Sequence, residues 1–356
     1  MSRLPDLPDL HRALVAIPSV SGNEARAADR VAAWMKAAGL KPVRSGRNVH
    51  AVIGKGNPTL LINSHLDTVP PNPSWTLDPF KPKRVGDRLY GLGASDAKAS
   101  VAAMLVSIPA FREIAKRRGG RIVLAFTCDE ETGGQGLEVL LPKLGRIDAA
   151  LIGEPTACDP YTGQRGLVIL KATARGRSAH ASRPERGLNA VAVAARDVLR
   201  LTGLPRFRSH PLMGPATVAP TMIQGGTRRN VIPGSCEFWI DIRTTPLYPN
   251  AGMVRRVSRL LESEVHVHSM RLDPVDTPVR ERIVRAARAA HPAGKPGALM
   301  GTSDLVFCAK RGIPGIILGP GLPRLSHAPD EYVTDAQLAR AAVLYPRIAD
   351  AYLSLS

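Results

Sequence analysis

The spacing of apolar residues changes near Pro155. Before it, residues 24–38 place Ala28, Val31, Ala32, Met35 and Ala38 on one face at helical spacing, and Gly39 is a natural stop. Short, nearly continuous apolar runs follow at 59–63, 122–127 and 149–152. Such runs suit strands covered on both faces, as in α/β sheets with helices packed above and below. Residues 97–118 read as the helix between the first two runs, bent at Pro109. Beyond Pro155 a strict alternation takes over. Residues 166–174 read as a half-exposed strand, 187–201 as a helix, and 216–224 and 235–244 as two more strands. In the last of these Cys236, Phe238, Ile240 and Ile242 share one side, with Glu237, Trp239, Asp241 and Arg243 on the other. Asn250 reads as the cap of a helix to residue 262, and 264–272 as a final strand.

The order βαββαβ is that of a complete small α+β domain. Residues 273–278, with Pro274 and Pro278, read as the linker out of it. The α/β grammar then returns with a helix from Val279, a strand at 315–318, and a helix opened by the capping box Thr334-Asp335-Ala336-Gln337. The expected organisation is one α/β domain made of residues 1–165 and 275–356, with residues 166–274 inserted.

A length of 356 residues suits two domains, and 44% hydrophobic with 22% charged residues excludes a disordered, collagenous or coiled-coil chain. No apolar run approaches the ~18 residues of a membrane helix, and the first residues lack a signal-peptide core; a cytoplasmic protein with no membrane partner is expected. Cys128, Cys158, Cys236 and Cys308 stand singly, which suggests reduced thiols rather than disulfides or a cysteine zinc site. The one unusual global number is the net charge of +18. It raises the possibility of a nucleic-acid partner. The basic residues are spread along the chain and aromatic content is 4%, so specific nucleic-acid binding ranks low.

Five segments place acids and histidines at strand or loop ends: Ser64-His65-Leu66-Asp67, Ala94-Ser95-Asp96-Ala97-Lys98, Cys128-Asp129-Glu130-Glu131-Thr132-Gly133-Gly134, Gly153-Glu154-Pro155-Thr156 and Leu325-Ser326-His327-Ala328. Loops beyond the carboxyl ends of strands are where open α/β sheets bind ligands. Taken singly, His65 reads equally well as a hydrogen-bonded core histidine, and the acids as caps or surface charges. Their coincidence at five successive ends points instead to a mixed imidazole and carboxylate set, suited to catalytic zinc.

The segments HLDTVPPNPSWTLDPF, LYGLGASDAKAS, CDEETGG, GEPT, SAHASRPERGLNA, NVIPG followed by DIR, GTSD and SHAPDEYV, in this order, resemble the acetylornithine deacetylase and succinyl-diaminopimelate desuccinylase family of dinuclear zinc amidohydrolases. The resemblance covers nearly the whole chain. It implies a zinc-peptidase-like catalytic domain with a central mixed sheet flanked by helices, and a lid that also forms a homodimer. It implies two Zn²⁺ ions, which Co²⁺ can replace: His65 and Glu154 on one, Glu131 and His327 on the other, and Asp96 bridging. Glu130 would be the general base, and Asp67 would fix the His65 tautomer. His180 would steady the oxyanion across the dimer with Asn230 nearby, Arg243 would pair with the substrate α-carboxylate, and Gly301 and Thr302 would also touch substrate. The chain departs from the family's frequent Met-Lys-Gly at Ala97-Lys98-Ala99, and the family does not imply the strong basicity. Leu92 resembles the deacetylase branch, and Glu154 the deacylases and carboxypeptidase-like members rather than di- and tripeptidases. The expected substrate is a small N-acyl amino acid of the N-acetylornithine type; N-succinyl-diaminopimelate, then other N-acyl amino acids or dipeptides, are the alternatives.

Overall fold

Four parallel strands, buried at nearly every position, make the centre of the larger of two compact units. The computed structural model of the chain describes residues 4–355. The larger unit comprises the residues up to Gly163, Thr277–Leu299 and those from Ser303 onward; the smaller comprises Gln164–Asp276 with Met300–Thr302.

The central strands of the larger unit run in the order Gly120–Thr127, Thr59–His65, Ala149–Ile152 and Gly315–Ile317, parallel throughout. Beyond Gly120–Thr127 lies the antiparallel hairpin of Val43–Ser45 and Asn48–Lys55, and beyond Gly315–Ile317 the antiparallel strand Tyr161–Gln164. The sheet is therefore mixed, with helices against it, as the resemblance implied. All seven residues of Thr59–His65 are buried, as are all four of Ala149–Ile152. Parallel register brings His65 beside Thr127 and Asn63 beside Ile152, so three loops leave the same sheet edge together.

The expected bent helix is two helices, Lys98–Val106 and Ile108–Arg118. Pro109 brings no N–H to the Leu105 carbonyl but fits the first turn of a new helix, and the Ser107 hydroxyl donates to the Ala103 carbonyl at 2.7 Å where the first one ends. The helix Asp335–Ser354 starts at the anticipated Thr334–Gln337 capping box and packs on Lys98–Val106 and Arg282–Ala290. The four cysteines are buried and unpaired. Among the described residues no helix is long and apolar enough to cross a membrane.

The helix Leu7–Val15 buries His11, whose Nε2 lies 2.9 Å from the Ala94 carbonyl. Burial lowers its pKa from 6.5 to about 4. Because the folded value lies below the unfolded one, the neutral ring contributes stability above pH 6.5 that is lost as pH falls toward 4. The full span is worth ~3 kcal/mol. His11→Gln, which keeps a donor for Ala94, should lose less melting temperature between those pH values than the native chain. Parallel melting curves for the two would refute this.

In the smaller unit four antiparallel strands lie in the order Thr217–Gly225, Ser235–Thr244, Gly166–Arg175 and Glu264–Leu272. The anticipated alternation holds: Cys236, Phe238, Ile240 and Ile242 are buried under the helices Ala190–Thr202 and Asn250–Ser258. Asn250 does not cap its helix, since Pro249 holds that position. Its buried amide instead donates to the Met270 and Leu272 carbonyls at 3.0 and 2.9 Å and ties the helix to the edge strand. The expected linker contains a short strand, Val275–Asp276, and the next helix begins at Arg282 rather than Val279.

Candidate metal and catalytic site

His65 ends its strand, and its Nδ1 lies 2.9 Å from the main-chain carbonyl of Asp67. A carbonyl can only accept, so Nδ1 carries a proton and Nε2 is the ring nitrogen left to face the acids. That Nε2 lies 3.2 Å from Asp96 Oδ1 and 3.6 Å from Glu154 Oε2. The other oxygen of Asp96 lies 3.8 Å from His327 Nε2, which is 2.8 Å from Glu131 Oε2. Asp96 thus turns one carboxylate oxygen toward each imidazole. His65, Asp96 and Glu154 are buried, whereas the His327 side chain is 54% exposed and opens that flank to solvent.

The Asp67 carboxylate lies beside the His65 ring and has further partners as well. Its Oδ1 is 3.6 Å from His65 Nδ1, farther than the main-chain carbonyl. Its two oxygens accept from the backbone N–H groups of Glu130 and Glu131, at 3.1 Å each, and from the Ser21 hydroxyl at 2.7 Å. Asp67 therefore meets the imidazole with its backbone carbonyl and its carboxylate, and holds the glutamate turn with the same side chain. Glu131 is engaged by His327, whereas the Glu130 carboxylate has no hydrogen bond among the described residues.

Crowded acids shape the electrostatics. Burial opposes the charged form of His65, but Glu154, Asp67 and Asp96 outweigh it and raise its pKa well above 6.5. Burial likewise favours neutral carboxyls: Glu154 rises to about 8 despite His65, and Glu130 rises well above its ordinary value with Glu154 adding to the effect. The Glu131 hydrogen bond lifts His327 to about 9. Ligand atoms of His65, Asp96 and Glu131 lie within 4.8 Å of one another, and the buried Glu154 Oε1 has no hydrogen-bond partner. An unpartnered carboxylate oxygen beside an imidazole nitrogen and two more acids fits a divalent cation with oxygen and nitrogen ligands.

The loop bearing His327 is fixed by distant residues. Asp330 accepts from the Thr76 and Leu77 N–H groups at 3.1 and 3.0 Å and from the Thr76 hydroxyl at 2.5 Å, while the Asn72 amide donates to the His327 carbonyl at 3.3 Å.

The smaller unit carries its own grouping. The two-residue strands Ala179–His180 and Val231–Ile232 pair, and Ala181 N–H donates to the Asn230 carbonyl at 2.9 Å, so His180 and Asn230 share an exposed ribbon. The Ser182 N–H lies 3.2 Å from His180 Nδ1, which must therefore accept; the neutral ring carries its proton on Nε2, a donor with no partner among the described residues. Arg243 makes a two-point ion pair with Asp241, at 2.8 and 3.0 Å, along one face of its strand. Gly301 and Thr302 are half-buried in the connection between Gly297–Leu299 and Leu305–Ala309.

Several buried ionisable groups near the sheet edge carry no role read from the sequence. Asp304, in the Gly-Thr-Ser-Asp run, accepts from Thr127 Oγ1 at 3.0 Å, and burial lifts its pKa to about 7. Glu331 accepts from Gly93 N–H, and Lys98 Nζ donates to the Ile17 carbonyl at 2.8 Å. Asp304 directly precedes the apolar Leu305-Val306-Phe307, a cue that it is buried; nothing local marks Lys98 as interior.

A mixed α/β sheet with clustered carboxylates and imidazoles at its carboxyl edge has the donor set of a divalent-metal site. Residues 61–351 match the model of peptidase family M20/M25/M40, and the chain belongs to that family. It is 30% identical to a succinyl-diaminopimelate desuccinylase of Xanthomonas oryzae, over 98% of this chain and 99% of that one. It is also 30% identical to an acetylornithine deacetylase of Yersinia pseudotuberculosis, over 98% of each. Among solved structures, the M20 metallo-carboxypeptidase Sso-CP2 of Sulfolobus solfataricus superposes with a TM-score of 0.81 at 18% identity, covering 99% of this chain and all of that one. Bacillus subtilis YxeP, described as a dinuclear metal-binding peptidase of the family, superposes with a TM-score of 0.76 at 18% identity, over 97% and 96%. The chain is a hydrolase of the amidohydrolase kind.

Proposed function

We propose that the enzyme hydrolyses the amide of a small N-acyl amino acid, with deacetylation of the N-acetylornithine type in arginine or lysine biosynthesis as the leading reading and desuccinylation of N-succinyl-diaminopimelate as the alternative. The observation that carries the chemistry is the carboxylate of Glu130, without a hydrogen bond among the described residues, beside the cluster of His65, Asp96, Glu131, Glu154 and His327. Two Zn²⁺ ions, or Co²⁺ in their place, held by His65 and Glu154, by Glu131 and His327, and by Asp96 between them, would polarise the amide carbonyl and acidify water.

The chain's own groups do the rest. Glu130 takes a proton from the attacking water on a carboxylate oxygen and returns it to the leaving amine nitrogen. His180 offers Nε2–H to the oxygen that becomes negative. Arg243 receives the substrate α-carboxylate in place of Asp241, and Asn230, Gly301 and Thr302 line the same substrate. The smaller unit serves as lid and homodimer surface; its edge strand exposes Met222 and Ile223, apolar residues that a second copy would cover. The enzyme works on a small molecule in the cytoplasm, with no membrane and no specific nucleic-acid partner.

A panel of N-acyl amino acids, assayed with added zinc, tests this reading. At least one N-acetyl or N-succinyl amino acid should be hydrolysed, and failure across the panel would refute it. On the preferred substrate Arg243→Ala should raise KM by roughly 10- to 100-fold, as loss of a charge-assisted pair of ~1.5–3 kcal/mol would, and should hardly affect the α-amide analogue.

A further inference from the structure

The loop before the helix Ala25–Ala37 braces both the His65 loop and the glutamate turn. Ser19 Oγ donates to the Leu66 carbonyl at 2.7 Å, and main-chain bonds join Ser19 and Ser21 to Thr68 at 3.0 and 3.1 Å. Glu24, from the same loop, is fully buried; its Oε1 accepts from Gly22 N–H at 3.0 Å and from Asp129 N–H at 3.2 Å. Its Oε2 pairs with Arg47, whose second terminal nitrogen lies 2.6 Å from Asp129 Oδ2. Ligand atoms of Glu24, Cys128 and Asp129 come within 4.8 Å of one another, yet this is no metal site: the Arg47 guanidinium already supplies the positive charge.

Asp129 has φ +57°, in the left-handed region that a side chain other than glycine rarely occupies. Glu130 and Glu131 follow at once. A residue held in that region needs ties from its surroundings. Here the ties are Glu24 on its N–H and Arg47 on its carboxylate. Next to it, Asn48 accepts from Cys128 N–H at 2.9 Å and donates to the Gly136 carbonyl at 3.0 Å, closing the turn at both ends.

We infer that Arg47, bridging Glu24 and Asp129, is a positioning residue that fixes the turn aiming Glu130 at the substrate. The inference rests on Glu130 as general base. Without the guanidinium, Glu24 and Asp129 face each other as like charges and the turn relaxes. Glu131 keeps its bond to His327, but the Glu130 carboxylate has no second anchor. A misplacement near 1 Å in a catalytic group can cost about 10²-fold in rate.

Arg47→Ala should lower kcat by roughly 10- to 100-fold, with KM and bound zinc per chain within about twofold of native. The Arg47 side chain is 33% exposed, so ethylguanidinium in the medium should restore part of kcat where ethylammonium does not. If Arg47→Ala fails to fold, Asp129→Ala and Asp129→Gly leave the Glu24–Arg47 pair in place. Glycine accepts the left-handed turn without ties, so kcat should fall about tenfold further in Asp129→Ala than in Asp129→Gly. Equal kcat in those two variants, or a loss in Arg47→Ala that only tracks lost zinc or lost folded protein, overturns the inference. Native turnover in Glu130→Gln overturns the base reading and this inference with it; an inactive Glu130→Gln beside an unimpaired Arg47→Ala overturns the inference alone.

Discussion

Treatment with a chelator is expected to abolish hydrolysis, and added Zn²⁺ or Co²⁺ to restore it. The reason is the balance of charge at the sheet edge. Asp96, Glu130, Glu131 and Glu154 crowd around two imidazoles, and burial, with their mutual repulsion added, pushes Glu154 to about 8 and Glu130 well above its usual value. Without a cation such a site takes up protons, and the polarising charge that amide cleavage needs is missing. Metal binding must release those protons, so affinity should weaken as pH falls through the range in which the carboxyls are protonated. Loss of metal should also lower the melting temperature, because the cation binds only the folded site. Inductively coupled plasma analysis alongside the assay decides the matter: full activity in a sample verified as metal-free ends the metal reading.

Substituting two adjacent glutamates should give opposite phenotypes. Glu130→Gln should lower kcat at least ~10²-fold while the metal stays bound, because the amide cannot shuttle a proton. Glu131→Gln should weaken metal binding on the His327 side, and excess zinc should recover part of its activity. Both backbone N–H groups are held by the same Asp67 carboxylate, so neither change should disturb the turn itself. A Glu130→Gln enzyme that loses metal and regains turnover when metal is supplied would show the two roles reversed.

The sheet centre and the acids at its edge were readable because parallel buried strands leave near-continuous apolar runs, and His65, Glu130-Glu131 and Glu154 each follow one. His327 and Asp96 are different: they sit on loops, where no periodicity speaks, and although both fall in the five polar segments, only the motif resemblance gave each a particular role. Short or polar strands such as Lys83–Val85 and Tyr161–Gln164 carry too few apolar positions to register. Asn250 shows how one residue type serves two purposes, since an asparagine at a helix start reads as a cap until its amide is seen bonding strand carbonyls. Arg47 lies in a tight turn between Gly46 and Asn48, and its importance depends on Glu24 and Asp129, neither of them its neighbour in sequence. Asp67 follows His65 by two residues in the sequence, but which of its atoms meets the imidazole is a matter of geometry alone.

The tether of Asp330 to Thr76 and Leu77 spans 254 and 253 residues, and the central strand Gly315–Ile317 pairs with Ala149–Ile152. A ribosome adding about 5–20 residues per second therefore exposes His65, Asp96 and the glutamate turn well before the strand and histidine that complete them. Until then the nascent chain holds an open sheet edge and half a binding site. A product that stops before residue 315 has the acids without the second imidazole, so premature termination yields a protein unable to finish the site and prone to adhere through its unpaired edge.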